Sequence, residues 1–176
     1  MANMHQLILL RHAKAAATAA AVSDHDRPLT DAGAAAAANI GRAMRAAGLA
    51  PDVVLVSPSV RTQQTFAALE AAGVWAEWPN VEPLPALYMA SPQQMRDILR
   101  GLPETVRSAM IIGHNPGLHE LARKLAGTAA QHPQHVRLAE SYPTATLTEF
   151  LIATPWRKIG VNAASLQRFL AAKDVA

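Results

Sequence analysis

Hydrophobic positions along the chain fall into short continuous runs separated by longer segments of helical spacing. Gln6 to Leu10, Val53 to Val56 and Ala109 to Ile112 are unbroken apolar runs of strand length, the pattern of strands buried on both faces. Between them the period changes. Thr30 is placed to cap a helix through Ile40 and Met44 toward Gly48, where a left-handed C-terminal cap is natural. Ser57-Pro58-Ser59 opens a second helix through Phe66 and Leu69, closed at Gly73, and Ser91-Pro92 starts a third that ends near Gly101. Leu118 to Leu125 returns to helix after Gly113-His114-Asn115-Pro116-Gly117. Thr146 to Ile152 alternates like a later strand, and Ala163 to Ala172 reads as a terminal helix. The low-complexity stretch Ala15 to Val22 and the segment Gln131 to His135 read as loops.

Strands alternating with helices predict an α/β fold, a mainly parallel central sheet with helices on both faces in three layers. A length of 176 residues fits one domain spanning 1–176. Charged residues make up 16% of the chain against about 25% in average proteins, so disorder is excluded for most of it. The absence of cysteine removes disulfides, thiol nucleophiles and cysteine-type zinc sites, and fits a cytoplasmic location. No apolar run reaches the length of a membrane span. The net charge is +3, but the basic residues are scattered singly, which argues against a nucleic-acid surface. Twelve of the sixteen are arginine, the side chain suited to gripping an oxyanion.

Three polar clusters occupy equivalent places, each just beyond a buried strand: Arg11-His12, Ser57 with Arg61, and Gly113-His114. Ligands of open α/β sheets bind beyond the carboxyl ends of the strands, so the three should meet on one rim. Two imidazoles and two guanidiniums with no carboxylate in the immediate motifs call for an anion. A phosphoryl group fits: one neutral imidazole nitrogen can attack phosphorus while the remaining groups hold its equatorial oxygens. Lys14 and Asn115 are further candidates for substrate contact, and no metal or cofactor is required. His132 and His135 flank a proline in a solvated loop, and the pair Trp75 and Trp78 reads as packing.

The blocks Leu9-Leu10-Arg11-His12-Ala13-Lys14, Ser57 to Thr65 and Gly113 to Gly117 resemble the signatures of the histidine phosphatase superfamily, the phosphoglycerate mutase-like fold. Asp24 to Thr30, Leu87-Tyr88 and Tyr142-Pro143-Thr144 are similar to its SixA-like phosphohistidine phosphatase branch. The resemblance implies that His12 carries a phosphohistidine intermediate, that Arg11, Arg61 and His114 bind the phosphate, and that hydrolysis is metal-independent. Ala13 and Thr62 depart from the commonest residues at their positions. Larger members protonate an ester leaving group with a carboxylic acid. The candidates for that role here are Glu82, Asp24 and Asp26. The expected partner is a phosphorylated protein, such as a phosphorelay histidine domain, with a small phosphorylated metabolite as the alternative. A phosphate-binding module without turnover is the third reading.

Overall fold

The computed structural model describes residues 4–128 and 132–176. Six strands form one sheet in the order β3-β2-β4-β1-β5-β6, with β1 at His5–Arg11, β2 at Val53–Val56, β3 at Asn80–Pro83, β4 at Ser108–Gly113, β5 at Leu147–Ile152 and β6 at Ala164–Leu170. The first four pair in parallel, while β5 is antiparallel to both β1 and β6. Five of the six strands therefore run the same way.

Side chains alternate across each strand, so the apolar runs feed two cores at once. Leu7, Leu9, Leu55 and Ile111 face one cluster, and Ile8, Leu10, Val54, Val56, Met110 and Ile112 face the other. Helices α1 (Asp31–Ala46) and α2 (Val60–Ala71) cover the second face through Ile40, Met44, Phe66 and Leu69. The opposite face is covered by α3 (Pro92–Arg100), α4 (Gly117–Ala126) and α5 (Pro133–Glu140), through Met95, Leu99, Leu118, Leu121, Leu125 and Leu138. Each buried Leu or Ile contributes roughly 1.5–3 kcal/mol over its exposed state.

Caps fix where the helices start. The Thr30 hydroxyl accepts from the Gly33 amide at 3.0 Å, Ser59 caps α2, and Ser91 forms a reciprocal capping box with Gln94. Gly48 and Gly73 take positive φ just beyond α1 and α2. No helix among the described residues is long and apolar enough to cross a membrane.

Three elements differ from the sequence expectation. Residues 164–170 form edge strand β6, not a helix. A bulge leaves Gln167 without a partner on β5, because Glu149 pairs Arg168 while Phe150 pairs Leu166. Leu166 and Phe169, three apart, thus reach the same core, which imitates helical spacing. The short strand β3 carries Pro83 and mostly exposed residues, so it shows no buried run. Pro133 to His135 begin α5 instead of a loop, with the His132 ring accepting from the Gln134 amide; Gln131 lies outside the described residues. Residues 15–22 do run as an exposed loop, tied by a bridge between Ala15 and Leu29. Trp75 stacks on Phe66, and Trp78 sits edge-on to the same ring, so the pair packs as expected.

Candidate active site

Parallel register brings the polar clusters together. Arg11, the last residue of β1, pairs with Gly113 at the end of β4, so His12 and His114 leave the sheet side by side. The His12 amide donates to the Gly113 carbonyl at 3.1 Å, and the two imidazole centroids lie 5.3 Å apart. Ser57 follows β2 on the other side of β4, its amide bonded to the Ile112 carbonyl. Arg61 enters from the first turn of α2 and is 2% exposed.

Arg61 is the hub. Its Nε donates to His12 Nε2 at 3.3 Å and its Nη2 lies 3.2 Å from His114 Nδ1. Its Nη1 donates to the Asp24 carbonyl at 2.6 Å, and Nη2 also reaches Asp24 Oδ2 at 3.1 Å. His12 Nδ1 is 2.7 Å from the Ala13 carbonyl. A carbonyl only accepts, so the network assigns the proton to Nδ1 and leaves the Nε2 lone pair toward Arg61. By the same logic Arg61 donates to His114 Nδ1, and His114 Nε2–H faces the Ser57 hydroxyl at 2.7 Å. Thr65 braces the group, accepting from the Ala13 amide and donating to the Arg61 carbonyl.

Arg11 has an anchor of its own. Its Nη1 donates to the Tyr142 carbonyl at 2.9 Å, and its Nε is buried with no partner. Asn115 Nδ2 donates to that same carbonyl at 2.9 Å, leaving Asn115 Oδ1 buried and unpaired beside it. The amide nitrogen of Asn115 is therefore committed to the turn that carries Arg11's anchor. Tyr142 is itself fixed, its hydroxyl donating to the Leu9 carbonyl at 2.8 Å.

Burial sets the protonation states. It lowers His12 to about 4, opposed by the Ala13 carbonyl and assisted by the Arg61 charge. Burial, then Arg61 and His12, lowers His114 to about 3. Both rings are neutral near pH 7. Arg11 is also lowered, by burial and by Arg61.

No carboxylate stands in the immediate motifs of the arginines, and the sequence offers Asp24 only as a candidate proton donor. The loop after β1 folds back and sets Asp24 on Arg61, a pairing that motif spacing does not encode. The Tyr88 hydroxyl, then Arg61 and Arg27, hold Asp24 down to about 2. It is thus a carboxylate at neutral pH and has no proton to give.

The other acid candidates lie elsewhere. Asp26 accepts from Ser23 and faces His25, and Glu82 accepts from Asn80 on edge strand β3. Lys14 is exposed; its carbonyl accepts from the Thr30 amide, and its ammonium makes no ion pair among the described residues. Ser57, placed by the sequence on the rim and at a helix start, also bonds His114. Tyr88 was noted only as part of a motif, yet its hydroxyl donates to Asp24 at 2.6 Å and its ring meets His114 edge-on.

Residues 7–88 match the model of the histidine phosphatase superfamily (branch 1). An uncharacterised protein of Mycobacterium tuberculosis is 32% identical over 165 residues, covering 91% of this chain and 98% of that one. Among solved structures, the SixA protein of Agrobacterium tumefaciens, named as a candidate phosphohistidine phosphatase, is 28% identical with a TM-score of 0.79, covering 95% of this chain and 97% of that one. A similarly described SixA from Nakamurella multipartitia is 26% identical with a TM-score of 0.82, covering 96% of each chain.

Proposed function

The chain belongs to the histidine phosphatase superfamily, and from that premise we propose that it hydrolyses protein-borne phosphohistidine through a covalent phosphoryl intermediate on His12. The observation that carries this reading is the state of His12: Nδ1 engaged by the Ala13 carbonyl, Nε2 free of its proton and set against Arg61.

In the first half-reaction the Nε2 lone pair forms the new N–P bond as the bond to the leaving group breaks in line. Arg11, Arg61 and His114 meet the charge on the equatorial oxygens. His114 does so through Nδ1–H in its other neutral tautomer, with the Ser57 hydroxyl then donating to Nε2 and holding the ring. In the second half-reaction water attacks phosphorus, the N–P bond breaks and His12 regains its lone pair.

The leaving group decides the substrate class. An alkoxide leaves badly without a proton donor. Asp24 is ionised, while Asp26 and Glu82 are engaged away from Arg61. An imidazole leaves more readily, which favours a phosphorelay histidine domain over a small phosphorylated metabolite and puts the enzyme's work in the cytoplasm. The names of the SixA relatives point the same way.

The test is to incubate wild type and His12→Ala with a labelled phosphohistidine protein, denature at alkaline pH where phosphohistidine survives, and count label on the enzyme. Wild type should carry transient label and release phosphate; His12→Ala should do neither. Label on another residue, or undiminished turnover by His12→Ala, refutes the proposal.

A further inference from the structure

The departing half of the substrate has a dedicated contact, and this inference rests on the phosphohistidine reading above. The Asp24 side chain is 48% exposed, whereas the Arg61 side chain it touches is 2% exposed, so the carboxylate stands at the mouth and the guanidinium behind it. Both carboxylate oxygens are engaged. Oδ1 accepts from Arg27 Nε at 3.0 Å and lies 2.9 Å from Arg27 Nη2. Oδ2 accepts from the Tyr88 hydroxyl at 2.6 Å and from Arg61 Nη2 at 3.1 Å. One guanidinium therefore separates Asp24 from the attacking nitrogen, and in-line displacement sends the leaving group away from His12 toward the mouth.

A phosphoryl group seated on Arg61 draws the Nη2 hydrogens to its own oxygens, because a dianion forking onto guanidinium is the stronger acceptor. Oδ2 then loses one of its two donors while Arg27 and Tyr88 keep the carboxylate in place. We infer that Asp24 is the leaving-group specificity residue: its freed oxygen accepts the distal N–H of a protonated phosphohistidine ring, selecting phosphoimidazolium over phosphomonoester.

In that form the substrate ring carries a proton on the nitrogen remote from phosphorus. His12 Nε2 supplies the electron pair of the new N–P bond. The old P–N pair returns to the departing ring, which leaves as neutral imidazole with its proton still in place. Asp24 remains a carboxylate throughout, and no general acid is consumed. A phosphomonoester has no such N–H to offer.

The groups facing Asp24 are Arg27 from its own loop, Arg61 from α2 and Tyr88 from the turn after β3, with His12 and His114 beyond Arg61. Neighbour Asp26 accepts from His25, whose ring also lies 5.0 Å from that of Tyr88. The titration that depends on Asp24 in the bound complex is then that of the substrate's proton.

The experiment measures kcat and kcat/KM of wild type, Asp24→Asn and Asp24→Glu on phosphoimidazole and on 4-nitrophenyl phosphate across about pH 5 to 9. Asp24→Asn should lower the preference for phosphoimidazole over the aryl ester about tenfold, the effect of losing one charged hydrogen bond. It should also move the alkaline limb of kcat on phosphoimidazole to lower pH, and Asp24→Glu should restore part of both. Equal losses on the two substrates with the pH limb unmoved would show that Asp24 only positions Arg61, and a gain on both would show that it merely competes with phosphate; either overturns the inference. A wild type that prefers phosphoimidazole alongside an unchanged Asp24→Asn overturns the inference alone. A wild type inactive on phosphoimidazole and on phosphohistidine proteins overturns the proposed function, and the inference with it.

Discussion

At His12, the burial that shields the ring from solvent also keeps its lone pair available. With the ring lowered to about 4, the acidic limb of kcat/KM assigned to the enzyme should be centred near pH 4, and a pH-rate profile checks it. A limb near about pH 6.5, the value for a solvated imidazole, would show a ring open to water. The same shift makes a stability statement. The unfolded chain takes up protons on His12 and His114 below about pH 6.5, while the folded rings resist until about 4 and about 3. Stability contributed by these neutral rings is complete above the unfolded value and is lost as pH falls through the interval. Urea unfolding midpoints should therefore drop between about pH 7 and about pH 4.5, and the drop should shrink when both rings are replaced by Gln.

The turn from β4 into α4 carries His114 and Asn115, and its tolerance is set by Gly117. A Cβ there would lie 1.9 Å from the Ala90 carbonyl oxygen, backbone that cannot swing aside. Gly117→Ala should cost about 1–3 kcal/mol in chemical denaturation and lower kcat with it, since the displaced turn holds the Arg11 anchor. Strand β6 predicts the opposite sensitivity. A deletion inside a strand normally turns every later side chain to the wrong face. Deleting Gln167 removes only the unpaired bulge residue and leaves Leu166 opposite Phe150 and Arg168 opposite Glu149. Its thermal unfolding should stay close to wild type, while deletion of Leu166 should lower the midpoint sharply. These elements also show what the sequence made legible. Caps at Thr30, Ser59 and Ser91 and the runs at 53–56 and 109–112 announced themselves, because local chemistry decides them. Strand β6 did not, because its bulge spaces Leu166 and Phe169 like a helix, and β3 did not, because an exposed edge has no apolar signature. Arg11, His12 and His114 were legible because each ends or follows a strand, and Arg61 because it lies in the first turn of the helix that follows β2. Asp24 on Arg61 was not, being a contact across 37 residues made largely through a backbone carbonyl.

Across the whole molecule, strands β1, β2 and β4 deliver their carboxyl ends to one rim, while β5, running the other way, brings its beginning there. That reversal lets the Tyr142 carbonyl reach Arg11 and the Ala145 amide bond the His12 carbonyl. Arg11 and Arg61 are consequently posted by the protein's own carbonyls, Tyr142 for one and Asp24 for the other, before any substrate arrives. A receptor assembled in advance does not distinguish a phosphoryl group arriving from the free orthophosphate left behind. Progress curves should bend well before substrate is exhausted, and added orthophosphate or vanadate should raise the apparent KM at constant Vmax. The enzyme would then slow itself as its own product accumulates, coupling its rate to the phosphate level of its surroundings.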